Sequence, residues 1–226
     1  EGDCECVLTG GADALSRLTV GGFNAIRVVT PDVPRPFDRG RSGMVVGEGA
    51  AFLVLESLER AKDRRARVLA LVEGFGLSVD AYHATAPDPE GNGALAAMTR
   101  ALESAGSGAG SVDHINAHGT GTAANDGAEA KAIARLLGDR TREVPVISLK
   151  GALGHGLGAA GALEAVASVL TLLHQTVPPS VGFRESDPQV ALWIPGEPVK
   201  MPVARVLSTN LAFGGNNAAV LLGRAP

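Results

Sequence analysis

Apolar and polar positions along the chain alternate between a helical and a strand period, and the switches define a series of elements. Residues 5–9 (ECVLT) read as a short strand running into Gly10-Gly11, with a helical turn expected over 12–18. Residues 49–55 (GAAFLVL) form an unbroken apolar run, as a buried strand does, followed by a basic helix near 57–66 and a long strand over 68–78. An amphipathic helix is predicted over 92–105, ended by Gly106. Then come strand 113–117, helix 127–137, strand 144–149 and helix 157–174, which Pro178-Pro179 stops. Two apolar strands, 204–209 and 218–222, finish the chain, while 31–43 and 80–91 read as loops. Helices interleaved with apolar strands imply an α/β layered fold with a mixed sheet. No Pro/Ser-rich linker interrupts the pattern, so composition marks no internal domain boundary.

Composition narrows the function classes. Over 226 residues, 45% are hydrophobic and 19% charged, which excludes a disordered or highly charged module. A net charge of -4 argues against nucleic acid as a partner. The most apolar stretch, 157–173, carries Glu164 in its middle and reads as a buried helix, so no membrane span is expected. Two cysteines one residue apart, Cys4 and Cys6, cannot staple a chain this long, and a cytoplasmic location is expected. The opening at Glu1, without an initiator Met or a leader, suggests part of a longer protein. Thirty glycines are about twice the usual share of roughly 7%, with no repeat to account for them, so they serve turns and close backbone approaches.

Several groups carry candidate chemistry. Gly156, Gly158 and Gly161 spell G-x-G-x-x-G ahead of a helix, but six residues separate Leu149 from Gly156, whereas a dinucleotide-binding turn leaves its strand at once. Close helix packing is the better account of these glycines. His118 follows a strand and precedes Gly119-Thr120-Gly121-Thr122; His155 lies between a strand and a long helix, with Lys150 five residues before it. Strand ends and helix N-termini of an α/β sheet converge on one crevice, and two glycine-wrapped histidines there point to catalysis. A helix N-terminus disfavours imidazolium, so His155 is expected to be neutral. Asp126 and Glu129 have the spacing of a capping box on helix 127–137, and could also hold Lys150. Cys4 and Cys6 would share a strand face between acidic neighbours, which suppress thiolate, and two ligands do not make a zinc site. The run Arg60, Lys62, Arg64, Arg65, Arg67 reads as a solvated helix face.

Four segments in order, RPFDRGRSGMVVGEGAAFLVLE (35–56), NAHGTGT with Asp126 and Glu129 (116–129), SLKGALGHGLGAAGALEA (148–165) and AFGGNNA (212–218), resemble the β-ketoacyl-acyl carrier protein synthases, most closely the elongating, type II-like branch. The resemblance covers essentially the whole chain. It implies a thiolase-like fold of α-β-α-β-α layers, with residues 1–56 ending the N-terminal half and 57–226 forming the C-terminal half. His118 and His155 would be the catalytic pair, and Lys150 the lysine tied to Glu129. Asp126 would match the family's second acidic position. Thr120 and Thr122 would meet the pantetheine arm, and Arg27 the carrier protein or that arm. No resident cofactor is implied, because phosphopantetheine arrives on the acyl carrier protein. A homodimer, or a heterodimer with a ketosynthase-like subunit, is implied as well.

The family's nucleophilic cysteine would fall upstream of Glu1. Leu211 stands at the usual gatekeeper phenylalanine, two residues before Phe213, and Leu153 replaces a small or polar residue; both bear on substrate range. AFGGNN and Asn125-Asp126 lean towards polyene-pathway ketosynthases. The rival readings are a non-catalytic chain-length-factor-type subunit, which commonly lacks the histidine set, a thiolase, and a nicotinamide oxidoreductase.

Overall fold

The structure, a computed structural model, describes residues 4–225. The chain runs β1 (Cys6–Asp13), α1 (Arg17–Ala25), β2 (Gly49–Glu56), α2 (Leu58–Asp63), β3 (Ala70–Val79), α3 (Asn92–Ser104), β4 (His114–Asn116), α4 (Ala123–Leu137), β5 (Val146–Ile147), α5 (Lys150–Leu153), α6 (Ala160–His174), β6 (Thr176–Val177), β7 (Val199–Lys200), β8 (Arg205–Ala212) and β9 (Asn216–Arg224). β1 and β2 pair antiparallel, with Cys6 opposite Glu56 and Asp13 opposite Gly49. The main sheet has the order β3-β9-β8-β4-β5, antiparallel through β3, β9 and β8 and parallel from β8 through β4 to β5. β6 and β7 form a separate small ribbon. The mixed sheet and its α/β class are those expected.

Layers follow from which faces are apolar. α3 and α4 cover one face of the main sheet, where Met98, Ile115, Ile133, Leu207 and Leu221 are fully buried. α6 covers part of the other face, burying Ile147, Leu172, Val206 and Leu222, and its far side meets β1 and β2. Gly74 and Gly76 let β3 lie hard against α3, because a Cβ at either would collide with the carbonyls of Ala101 and Ala97. Residues 157–174 are long and apolar enough to pass for a membrane span by composition. Their placement between two sheets, with Glu164 ion-paired inside, makes them a core helix instead.

Some boundaries moved. The helical turn expected over 12–18 is the end of β1 followed by α1, which Ser16 starts by accepting a hydrogen bond from the Thr19 N–H at 3.1 Å. Cys6 opens β1 whereas Cys4 precedes it, so the two do not share a strand face; both are exposed. The helix read as 127–137 starts at Ala123, capped by Thr122 rather than by Asp126. In the basic helix, Arg60 and Arg64 pair with Glu56, and Arg60 also with Glu5, as a solvated face would.

Candidate active site

β5, β4 and β8 run parallel, so their carboxyl ends open on one side of the sheet, where α/β sheets place ligands. His118 follows β4, Lys150 follows β5, and Leu211 ends the same stretch of β8. His155 arrives from the loop after α5 and is held as a strand would be: its N–H donates to Val45 at 2.7 Å, and its carbonyl accepts from Gly47 at 2.9 Å. The two imidazoles meet edge to face, ring centres 5.1 Å apart at 79°.

Both rings are held neutral. Burial lowers His118 well below the usual histidine value, helped by the Lys150 charge and by His155. Burial and then Lys150 push His155 down to about 3. Burial, rather than a helix end, is therefore the main cause. The Leu157 N–H donates to His155 Nδ1 at 3.1 Å, so the ring proton sits on Nε2 and is free to donate. His118 Nδ1 is buried with no partner among the described residues.

The expected link between Lys150 and Glu129 is not formed. Lys150 Nζ pairs with Glu164 of α6 and donates to the His118 carbonyl at 2.6 Å. Glu129 instead accepts from the backbone N–H groups of His118 at 2.7 Å and Gly119 at 2.8 Å, and from Thr209 Oγ1 at 2.8 Å. Its carboxylate thus fixes the turn that carries His118 and ties it to β8. Burial raises Glu129 to about 7 against the pull of those donors. Asp126 accepts from Phe37 N at 2.7 Å and Gly121 N at 3.1 Å, clamping the loop 31–43 onto the start of α4. Neither carboxylate is a cap. Both spend their oxygens mainly on backbone amides in the interior, with side-chain donors from Asn125 and, for Glu129, Thr209.

A cavity of about 610 Å³ opens above the histidines. Thr120, Thr122, Leu211 and Phe213 line it with His118 and His155. Thr120 Oγ1 and Thr122 Oγ1 lie 2.9 Å apart. Arg27 is exposed at the end of α1 and outside the lining, although its neighbour Val28 is part of it. Leu153 also points away, 52% exposed. Gly158 reaches the lining as well, and a Cβ on Gly11 would collide with its carbonyl, so close packing accounts for this part of the G-x-G-x-x-G run. Among the described residues no cluster of His, Cys, Asp and Glu is placed to hold a metal ion.

Sequence reasoning missed the partner of Lys150. The signal was present, since a carboxylate in the middle of an apolar helix needs a buried cation or donor. It also missed the latch between the 80–88 loop and the segment 213–217. Asp80 accepts from Asn217 Nδ2 at 2.7 Å and from Asp88 N at 2.9 Å, its own N–H donates to Gly215 O at 2.8 Å, and Gly214 N donates to Ala84 O at 2.8 Å.

A layered α/β fold with a mixed five-stranded sheet and a histidine pair on the side where its parallel strands end is that of the thiolase-like ketosynthases. The chain belongs to the beta-ketoacyl synthase family: the C-terminal domain of that family matches residues 69–184 and the N-terminal domain residues 1–61. It is 44% identical over 230 residues to 3-oxoacyl-[acyl-carrier-protein] synthase 2 of Coxiella burnetii, a match covering 98% of this chain and 56% of that protein. Among solved structures, the ishigamide ketosynthase/chain length factor is similar at 43% identity with a TM-score of 0.94, over 100% of this chain and 55% of the other. A type II PKS acyl-carrier protein in complex with its ketosynthase bound to the hexaketide matches at 32% identity and a TM-score of 0.96, over 100% and 57%. The chain spans little more than half the length of the curated relatives it matches.

Proposed function

We propose that this chain is the histidine-bearing part of a β-ketoacyl-acyl carrier protein synthase that joins an acyl group to a malonyl unit by decarboxylative Claisen condensation. The observation that carries the reading is the pair of neutral imidazoles 5.1 Å apart at the base of the cavity. An acyl group passes from its carrier to a cysteine thiol, and malonyl-carrier protein then occupies the cavity. Cleavage of the carboxylate bond releases carbon dioxide and leaves its electron pair as an enolate. That carbon attacks the acyl thioester carbonyl, and the cysteine thiolate departs. His118 and His155 donate N–H groups to the enolate oxygen; preorganised donors of this kind are worth about a hundredfold to a thousandfold in rate each. Neutral rings suit this role, because a neutral imidazole donates a hydrogen bond and keeps its proton, whereas an acidic imidazolium would hand its proton to the enolate. Glu129 positions His118, and Lys150 holds its carbonyl.

The thiol comes from a segment other than residues 1–226. Cys6 starts β1, whose other end, Asp13, accepts from Gly158 at the cavity wall. Seven residues of strand at about 3.3 Å each put Cys6 more than about 20 Å along β1 from that end. Thr120 and Thr122 would meet the pantetheine arm of a carrier protein, and Leu211 and Phe213 the acyl chain, a reading supported by their shared place in the cavity lining. The phosphopantetheine arrives on the carrier, with no resident cofactor. Carrier-protein and ketosynthase-like partners are supported by the similarity to a ketosynthase–carrier complex and to a ketosynthase/chain length factor.

The second reading, a non-catalytic subunit of chain-length-factor type, draws on that same ketosynthase/chain length factor match. The intact histidine pair favours the enzyme. Supplying the synthase that contains this chain with acyl- and malonyl-carrier protein tests the proposal: carbon dioxide and a β-ketoacyl product in equal amounts support it, and neither appearing contradicts it.

A further inference from the structure

One wall of the cavity is made by Thr85, Ala86 and Pro87 of the 80–88 loop, and a single side chain holds its turn. His83 Nδ1 accepts from the Thr85 N–H at 3.1 Å and from the Ala86 N–H at 3.2 Å, with Thr85 Oγ1 at 3.5 Å. Two backbone donors aimed at one ring nitrogen require that nitrogen to be unprotonated. The loop is also under strain, because Ala81 sits at φ 51°, in the left-handed region.

We propose that His83 is a positioning residue that closes the Thr85–Pro87 wall of the cavity when its ring is neutral and releases it when protonated. A proton on Nδ1 replaces an acceptor with a third donor, so both backbone bonds are lost together. The movement is confined to residues 83–87, because Asp80 and Asp88 tether the loop on either side through amide donors. It is passed to the segment carrying Phe213 through the bond from Gly214 N to Ala84 O.

The ionisable groups around this turn are few. Tyr82, Asp80 and Asp88 are on the loop itself; Asp88 lies below the usual carboxylate range because it accepts from the Glu90 N–H and from Asn92, with the charge of Arg135 on α4 beside it. The segment 213–217 contributes Asn217 to the lining, and the start of α4 contributes Asn125, with the buried Asp126 next to it turned onto Phe37 and Gly121. Across the cavity stand His118 and His155, both neutral, and the exposed Arg27 follows α1. The inference concerns the wall and holds whatever reaction the cavity serves.

The test follows the Thr85 and Ala86 amides of the intact protein by nuclear magnetic resonance from pH 8 to pH 5, with hydrogen exchange corrected for its intrinsic pH dependence. Both amides should shift together with the His83 ring and exchange at least about fivefold faster once it is protonated, one net hydrogen bond's worth. In His83→Asn, whose side-chain oxygen accepts but does not titrate in this range, the amides should stay protected throughout. In His83→Ala they should be unprotected at every pH. Amides that ignore the ring's titration, or that remain protected in His83→Ala, would overturn the proposal. Because no turnover is measured, failure here is separate from failure of the condensation reading.

Discussion

Lys150 and His118 are joined through the backbone: the lysine Nζ donates to the His118 carbonyl at 2.6 Å, while its charge is matched by Glu164. The same ammonium group holds the turn in place and lowers both cavity imidazoles. The pair lies inside the protein, its side chains 3% and 2% exposed.

Removing one partner of that pair leaves the other charge buried and alone. Lys150→Met and Glu164→Gln should each destabilise the fold by about 3–5 kcal/mol, and the double variant by less than their sum. Urea unfolding of the four proteins measures this; single variants within about 0.5 kcal/mol of the parent would contradict it. Lys150→Met should also raise the His155 titration above its present value of about 3, since a neighbouring cation no longer opposes imidazolium.

Stability should fall in acid through His114. Its ring is buried, with Nδ1 donating to the Pro145 carbonyl at 2.9 Å, and burial lowers it from 6.5 to about 4. Between those values the unfolded chain binds the proton and the folded one does not, so the contribution present above pH 6.5 is lost as pH falls towards 4. The full loss amounts to roughly 3 kcal/mol. Glu129, raised to about 7, acts in the opposite sense, since its contribution is lost as pH rises from 4.5 towards 7. The difference between the parent and His114→Gln isolates the histidine: it should shrink as pH is lowered from 7 to 4, and a constant difference would contradict the assignment.

Much of this was legible in the amino-acid order, and the failures share a cause. Apolar runs located β2, β3, β8 and β9, and Gly106 marked the end of α3, because strand pattern and backbone conformation are set locally; β2, expected to be buried, instead leaves Phe52 and Val54 exposed. The start of α4 was misread because Asp126 and Glu129 have cap spacing, yet both turn inward to amides brought in by Phe37, His118 and Gly119. Phe37 is 89 positions from Asp126, and local spacing says nothing about such a partner. His118 was legible because it follows a strand end rich in glycine, and His155 because glycines flank it ahead of a long helix, although the structure brings it in from the loop after α5. Glu164 stood out as a carboxylate in an apolar helix, but its pairing with Lys150 was not legible, because α6 brings it there from 14 positions along the chain.

Leu211 is half-buried at the cavity wall, opposite Asn217 in the ladder with β9. Under the proposed function, Leu211→Phe should narrow the acyl path and slow long or rigid acyl chains more than short ones. An added ring at a mouth that cannot relax costs about 1–3 kcal/mol, enough to move the long-to-short preference roughly tenfold. Competing the two acyl-carrier substrates in one vessel gives the ratio, and an unchanged ratio would remove Leu211 from the specificity-determining wall.

Under the proposed function, the most direct measurement separates the two half-reactions of the synthase containing this chain. His118→Ala and His155→Ala should each cut carbon dioxide release from labelled malonyl-carrier protein by about a hundredfold to a thousandfold. Acylation of the cysteine, followed by intact mass, should continue, because that step depends on the thiolate rather than on donors to the enolate. Decarboxylation at the parent rate in both variants would contradict the assignment of the histidine pair.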